Sequence, residues 1–301
     1  MTPISVIVPV RNEGERIAAM VRSVIAGRSN TFPLELVVVD DASTDGCCNH
    51  LHGLTDGAPQ VTLTLLRLET WAGVPTARNR GAAAARYPIY VITDGNTLFP
   101  QRWDVPIRNA FVRHRLLAIT ISDMGSPFRG YGCQLQLPSM GVRWLAAPDV
   151  YGGFVPISAC TGTVIDRDLF HHLGGYDETL PVYGAAEPEF SLRAWLSGYE
   201  ITCLPQLELA HRFRPRAEHR SYLADIRQRQ LANYLRFATY YLPDELLEQT
   251  CLYYQRREAD LFPSVWRSLA ASDVWSRRAV LAGLPRNFAW FAACFPLMWQ
   301  A

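Results

Sequence analysis

The chain opens on a short β-branched run at residues 4–8, and the hydrophobic period then changes. Over residues 15–26 the apolar positions Ile17, Met20, Val21, Val24 and Ile25 recur at helical spacing on one face. Residues 34–39 form an apolar run of the kind expected for a strand buried on both faces. Residues 61–66 predict a strand, 76–86 an alanine-rich helix, 89–93 a strand, 101–113 a helix and 117–122 another strand. This alternation predicts an α/β fold with a mostly parallel, doubly wound sheet flanked by helices. From residue 123 to about 158 the pattern dissolves into Gly, Pro, Arg and aromatic residues. A segment of that length without periodicity predicts a functional loop. Order returns with a strand near 159–165, a helix over 168–173 ended by Gly174-Gly175, a helix over 187–196 and an extended stretch over 200–204. Beyond Arg216 the spacing predicts several helices, 222–241 and 245–259 among them, so we divide the chain into an α/β domain, 1–215, and a helical region, 216–301.

Three polar clusters follow predicted strands. Pro9-Val10-Arg11-Asn12-Glu13 follows the first, Asp40-Asp41-Ala42-Ser43 the second, and Asp94-Gly95-Asn96 the strand at 89–93. In an open parallel sheet the carboxyl ends of strands share one edge, and ligands bind in the crevice there. Each cluster alone also reads as a helix cap or a turn; their common placement favours a site. A carboxylate–amide turn after an apolar strand suits a hard cation such as Mg²⁺ or Mn²⁺, which keeps waters and substrate phosphates in its shell. Asp94 is the charged ligand in this reading, Asn96 a neutral one, and Gly95 lets the backbone approach closely.

Composition narrows the classes. A formal charge of +1 over 301 residues argues against a nucleic-acid track. The chain has no lysine, so a bound anion is held by arginine, backbone amides or metal. The 7 cysteines, Cys160 among them, are scattered and form no C-x-x-C pair, which fits a reducing cytosol better than a disulfide framework. The apolar stretch at 279–299 is broken by Pro285, Arg286, Asn287 and Pro296, so it predicts packed or interfacial helices and no membrane span. The arginine-rich helices beyond residue 216 present either a peripheral membrane face, an oligomer interface or a solvated surface.

The motifs together resemble the inverting family 2 glycosyltransferases with the GT-A fold. Val6-Ile7-Val8-Pro9-Val10-Arg11-Asn12-Glu13 is similar to that family's opening strand, and Val37 to Gly46 to its nucleotide-recognition segment. Arg78-Asn79-Arg80-Gly81 resembles its arginine helix start, and Asp94-Gly95-Asn96 stands where its D-x-D motif belongs. The second half is similar to the polypeptide N-acetylgalactosaminyltransferases, through Ile165 to Phe170, Gly175-Tyr176-Asp177, Glu189 to Arg193 and Ala210-His211-Arg212-Phe213-Arg214. The resemblance implies a nucleotide-sugar donor, UDP-linked, with Asp41 on the uracil imide, Pro9 and the segment from Arg11 to Glu13 lining the nucleoside, and Arg78 beside base or phosphates. It implies a Mn²⁺ or Mg²⁺ site at Asp94, Asn96 and His211. It places Glu187 at the family's base position, for inverting transfer of one sugar to a small molecule, glycan or peptide acceptor; a burial-raised pKa would suit that task. If the chemistry follows the N-acetylgalactosaminyl branch, transfer retains configuration and needs no base. Two departures, Asn96 and Ala186 in place of acids, leave a non-catalytic nucleotide-binding protein as the rival reading. The predicted loop, with Tyr131, Trp144, Tyr151, Phe154, Arg129 and Arg143, is expected to line the acceptor site.

Overall fold

The computed structural model describes residues 2–159 and 161–300, so Cys160 lies outside the described residues. The chain begins with β1 (Ile4–Val10), α1 (Arg16–Ala26), β2 (Leu34–Asp40), β3 (Val61–Arg67), α2 (Val74–Ala84), β4 (Ile89–Ile92) and β5 (Thr97–Leu98). It continues with α3 (Asp104–Ala110), β6 (Arg115–Asp123), β7 (Arg129–Gly130), β8 (Cys133–Leu137), β9 (Gly141–Trp144), β10 (Thr163–Asp166), α4 (Arg167–His172), α5 (Ala186–Leu196) and β11 (Glu200–His211). The remainder is α6 (Arg216–Tyr241), α7 (Asp244–Arg257), α8 (Phe262–Ala270), α9 (Val274–Leu281), α10 (Phe288–Cys294) and β12 (Met298–Trp299).

The main sheet runs in the order β3-β2-β1-β4-β10-β6-β11-β5. Strands β3, β2, β1 and β4 are parallel neighbours, β6 and β11 are parallel, and β10 and β5 pair antiparallel. It is a mixed sheet with a parallel block from β3 to β4 on one side and antiparallel β10 between β4 and β6, in keeping with the mostly parallel α/β sheet that the alternation predicts. Alternate residues of β1 and β2 feed two cores, as the two-residue strand period requires. Ile7, Val37 and Val39 join α2 on one face. Val6, Val8, Leu36 and Val38 join Ile17, Met20, Val21 and Val24 of α1 on the other. Each of those four α1 side chains is fully buried, worth about 1.5–3 kcal/mol apiece. Helix α2 lies close on the sheet because Gly81 has no side chain: a Cβ there would stand 2.6 Å from Ile7 Cγ2.

The structure corrects three expectations. The segment 123–158 is no featureless loop: it carries β7 on the main sheet and β8 and β9 in a second sheet, ordered β12-β8-β9. The extended stretch at 200–204 runs on to His211 through an irregularity between Leu204 and Glu208. The helix predicted over 101–113 is only α3, Asp104–Ala110. The helical region shares its core with the α/β domain: Leu231, Leu235, Phe237 and Phe291 belong to the cluster that holds Ile7, Leu135 and Phe190. Among the described residues no helix is long and apolar enough to cross a membrane.

Candidate active site

The parallel order β2-β1-β4 puts the three polar clusters on one edge, and hydrogen bonds weld them together. Asn12 donates its amide to Ser43 Oγ at 3.1 Å, and its Oδ1 accepts from the Thr44 amide at 2.8 Å. Arg11 donates to the carbonyls of Asp41 and Ala42 at 2.6 and 2.8 Å, and its guanidinium stacks over Trp71 at 4.7 Å. Pro9 is buried within β1 opposite Val39. Asp41 is buried, and its two oxygens accept the amides of Ala72 and Gly73 at 2.7 and 2.8 Å, fixing the start of α2. Gly73 can serve there because its φ of +94° suits only glycine. Gly95 makes its close approach to protein: a Cβ would lie 3.2 Å from Val10 and 3.4 Å from Glu13. Burial raises the Glu13 pKa, against the opposing pull of Arg16 at 2.7 Å.

The Asp94 turn is set by a threonine cluster. Thr161 Oγ1 accepts the Asp94 amide at 3.0 Å and lies 2.8 Å from Thr93 Oγ1 and 3.3 Å from Thr97 Oγ1, all three residues buried. Strand β5 pairs with β11, so Thr97 stands opposite His211 and brings it to Asp94. His211 Nε2 lies 3.8 Å from an Asp94 oxygen. Burial lowers the His211 pKa, against the negative charges of Asp94 and Asp123, and so favours the neutral imidazole that can ligate a metal.

Arg78 ties this turn to α5. Its side chain is 1% exposed; Nη1 donates to Glu187 at 2.6 Å and Nη2 to Asp94 at 3.2 Å, over the Tyr176 ring at 5.0 Å. Burial acts to lower the Arg78 pKa, but Tyr176, Glu187 and Asp94 outweigh it and the net shift is upward. One guanidinium fork therefore clamps both carboxylates. The neighbouring Glu189 does structural work: it is fully buried and receives Arg193 at 2.7 and 2.8 Å and the Tyr241 hydroxyl at 2.7 Å.

A divalent cation fits the donor set. Asp94 and His211 Nε2 face one another, and Asn96 gives its amide nitrogen to the Arg212 carbonyl at 3.0 Å while its buried Oδ1 has no hydrogen-bond partner among the described residues. Such an orphaned buried oxygen is accounted for by an ion or a water. Among the described residues no group of three His, Cys, Asp or Glu gathers here, so the ion would complete its shell from substrate and water.

The site residues expected from sequence thus meet on one rim, and further groups join them that sequence patterning did not single out. Trp71 carries Arg229 of α6 at 5.1 Å as well as Arg11. Tyr222 of α6 lies under Arg214 at 4.3 Å, and burial raises its pKa against the opposing charges of Arg214 and Arg11. Trp71 lies on the loop before α2 while Arg229 and Tyr222 belong to α6, and in sequence only an isolated aromatic or arginine marks each. Of the aromatics expected to line the acceptor site, Trp144 packs with Phe128 and Phe213, next to His211. Tyr151 and Phe154 instead pack on Phe295 and Trp195, towards the helical region, and Arg129 pairs with Glu208.

Comparison with known proteins bears on this arrangement. The profile described as Glycosyl transferase family 2 matches residues 5–173. Polypeptide N-acetylgalactosaminyltransferase 8 of Drosophila melanogaster is 28% identical over 232 residues, covering 70% of this chain and 38% of the relative. Polypeptide N-acetylgalactosaminyltransferase 10 of Mus musculus is 25% identical over 311 residues, covering 95% of this chain and 48% of the relative. The chain therefore spans less than half the length of these relatives. Among solved structures, GalNAc-T7 with UDP, GalNAc and Mn²⁺ matches at a TM-score of 0.74 and 20% identity, over 97% of this chain and 56% of that one. The mannosyltransferase PcManGT from Pyrobaculum calidifontis, in complex with GDP-Man and Mn²⁺, matches at 0.59 and 20% identity, over 96% and 80%.

Proposed function

This chain belongs to glycosyl transferase family 2 and has the GT-A fold, and from that premise we propose that it transfers a single sugar from a nucleotide-sugar donor to an acceptor hydroxyl. The observation that carries the proposal is the Arg78 fork, which holds Asp94 and Glu187 on the rim where the loops after β1, β2 and β4 meet. A UDP-linked donor is supported by the UDP in the GalNAc-T7 structure and by the likeness to N-acetylgalactosaminyltransferases. The donor's nucleoside lies along Pro9, Arg11, Glu13 and Asp41, and its phosphates towards Arg78, Asp94 and Gly95. Asp94, Asn96 and His211 hold Mn²⁺ or Mg²⁺, which when bound supplies positive charge to the departing diphosphate.

The chain's own groups do the rest. Arg78 fixes the distance between the phosphate end of the site and Glu187. Glu187 takes the proton of the acceptor hydroxyl; Oε1 is held by Arg78, and Oε2 has no hydrogen-bond partner among the described residues. Transfer then inverts the anomeric centre. A retaining transfer is the second reading, favoured by that same Arg78 bond, in which Glu187 orients Arg78 only. Residues 1–215 supply this crevice and 216–301 cover it with α6; the chain works in the cytosol, as its scattered cysteines support.

A panel of UDP-glucose, UDP-galactose, UDP-GlcNAc, UDP-GalNAc and GDP-mannose, with and without Mn²⁺, tests this. We expect slow hydrolysis of at least one donor, stimulated by Mn²⁺ and lost in Asp94→Ala. The anomer released, read by proton NMR, decides between inversion and retention. Nucleotide binding with no hydrolysis of any donor would leave the non-catalytic reading standing.

A further inference from the structure

Behind the Glu187 turn lies a second cavity, of about 260 Å³, between α6, α7, the β8–β9 turn and the C-terminal Gln300. Its volume falls below the roughly 300–1,000 Å³ of pockets for drug-sized ligands, so it suits one ring and no extended chain. Three tyrosines and two side-chain amides line it, Tyr234, Tyr253, Tyr254, Gln230 and Gln300, with the Arg257 guanidinium beside them. Tyr234 and Tyr254 stack at 6.2 Å, and Tyr253 meets Tyr254 edge-on at 5.0 Å.

The polar tips form two separate groups of donors and acceptors. Gln230 Nε2 donates to the Tyr234 hydroxyl at 3.4 Å, the Tyr253 hydroxyl donates to Gln300 Oε1 at 3.3 Å, and Arg257 donates to the Tyr253 hydroxyl at 3.0 Å. The wall carries charge of both signs, Arg227 and Arg257 against Glu258, and so offers an anion no one-signed field. Arg227 at the wall is already committed to Asp260 at 2.8 and 2.9 Å and to Glu258, and the Glu258 carboxylate itself lines the cavity. Aromatic faces beside paired amides and hydroxyls suit a neutral, hydroxyl-rich ring.

This cavity and the crevice share a wall. Asn233 Nδ2 donates to the carbonyls of Pro181, Tyr183 and Gly184, the turn that leads into Glu187. Gly184 lies against the pocket side chains: a Cβ there would stand 3.2 Å from Gln230 Cγ and 3.4 Å from Tyr234 Cζ. Tyr234 is also near enough to Glu187 to feel its charge.

We propose that this cavity is a saccharide subsite, which holds a neutral sugar ring of the acceptor while another part of that acceptor reaches Glu187. The proposal rests on the transferase reading only in assigning the ring to the acceptor; binding of the sugar stands by itself. Saturation-transfer NMR with the methyl glycosides of glucose, galactose, mannose, GlcNAc and GalNAc tests it, through the ~1 mM affinity range of a weak ligand. The full chain should give a signal with at least one of the five. Tyr253→Ala should lower that affinity about ten-fold, as should a Gln230→Ala/Gln300→Ala double variant, which keeps the aromatic packing. UDP titrated into the same proteins should bind unchanged. No signal from any of the five glycosides overturns the subsite. So does a signal that survives in both variants, since the sugar then sits in the donor crevice. Sugar binding that is lost in the variants, in a chain that fails to bind UDP, keeps the subsite and sinks the donor reading.

Discussion

Replacing Arg78 by methionine removes the fork between Asp94 and Glu187 while keeping much of the side-chain volume. The guanidinium is 1% exposed, with hydrogen bonds of 2.6 and 3.2 Å to the two carboxylates. Breaking a buried pair by removing one partner costs about 3–5 kcal/mol, because the charge left behind is unpaired. Here the carboxylates keep some water, at 24% and 18% exposure, so we reduce the figure to about 2–4 kcal/mol. Against the roughly 5–15 kcal/mol of a folded protein, the variant still folds but its urea midpoint falls with the slope unchanged. Adding Glu187→Gln removes one stranded charge, so the double variant should lose less than the two singles added, with a coupling of about 1–2 kcal/mol. Urea unfolding of wild type, both singles and the double measures this directly. A loss within about 0.5 kcal/mol for Arg78→Met, the range of an ordinary surface change, or strict additivity in the cycle, refutes the clamp.

Two further outcomes follow from the same geometry. Gly73→Ala places a Cβ about where the Val182 backbone stands, 2.3 Å from its nitrogen, at a φ of +94°; urea unfolding should show a loss of about 2–4 kcal/mol, and UDP affinity should fall with the Asp41 contact. Burial raises the Glu13 pKa above the ordinary 4.5 despite Arg16, so the folded chain holds that proton more tightly than the unfolded chain. Glu13 therefore favours folding at acid pH and loses that contribution as pH rises through its folded value. The melting temperature of Glu13→Gln relative to wild type should thus rise as pH increases above the ordinary glutamate value and level off once the folded carboxyl has ionised, and a flat difference contradicts the assignment.

The parallel block of the sheet was legible because β1, β2 and β4 are mostly apolar runs, broken by Ser5 and Glu35, each followed by a polar cluster. That parallel strands end on one common edge placed Asp41 and Asp94 on one rim; the order β2-β1-β4 itself comes from the structure. The second sheet was not legible. Strand β8 alternates over only five residues, β9 has four, and β12, which pairs with β8, comes from the far end of the chain, so no local period records the pairing. Strand β11 was read too short because Pro205 falls at its irregularity, where the ladder shifts and then resumes. Candidate site residues on strand ends were found by position; Trp71, on the loop before α2, and Tyr222 of α6 were missed because only tertiary packing sets them against Arg11, Arg229 and Arg214. The cavity behind Glu187 is assembled from α6, α7 and the C-terminus, and its tyrosines read in sequence as ordinary helix residues.

The central claim is that Asp94, Asn96 and His211 meet to hold a divalent ion against a nucleotide diphosphate. Calorimetric titration of UDP into the full chain, with Mn²⁺ and then with a chelator, addresses it most directly. The account predicts that Mn²⁺ tightens UDP binding by about ten-fold or more, about 1.4 kcal/mol, and that Asp94→Ala and His211→Ala each remove the difference. Equal UDP affinity with and without the ion in a folded wild-type chain would contradict it.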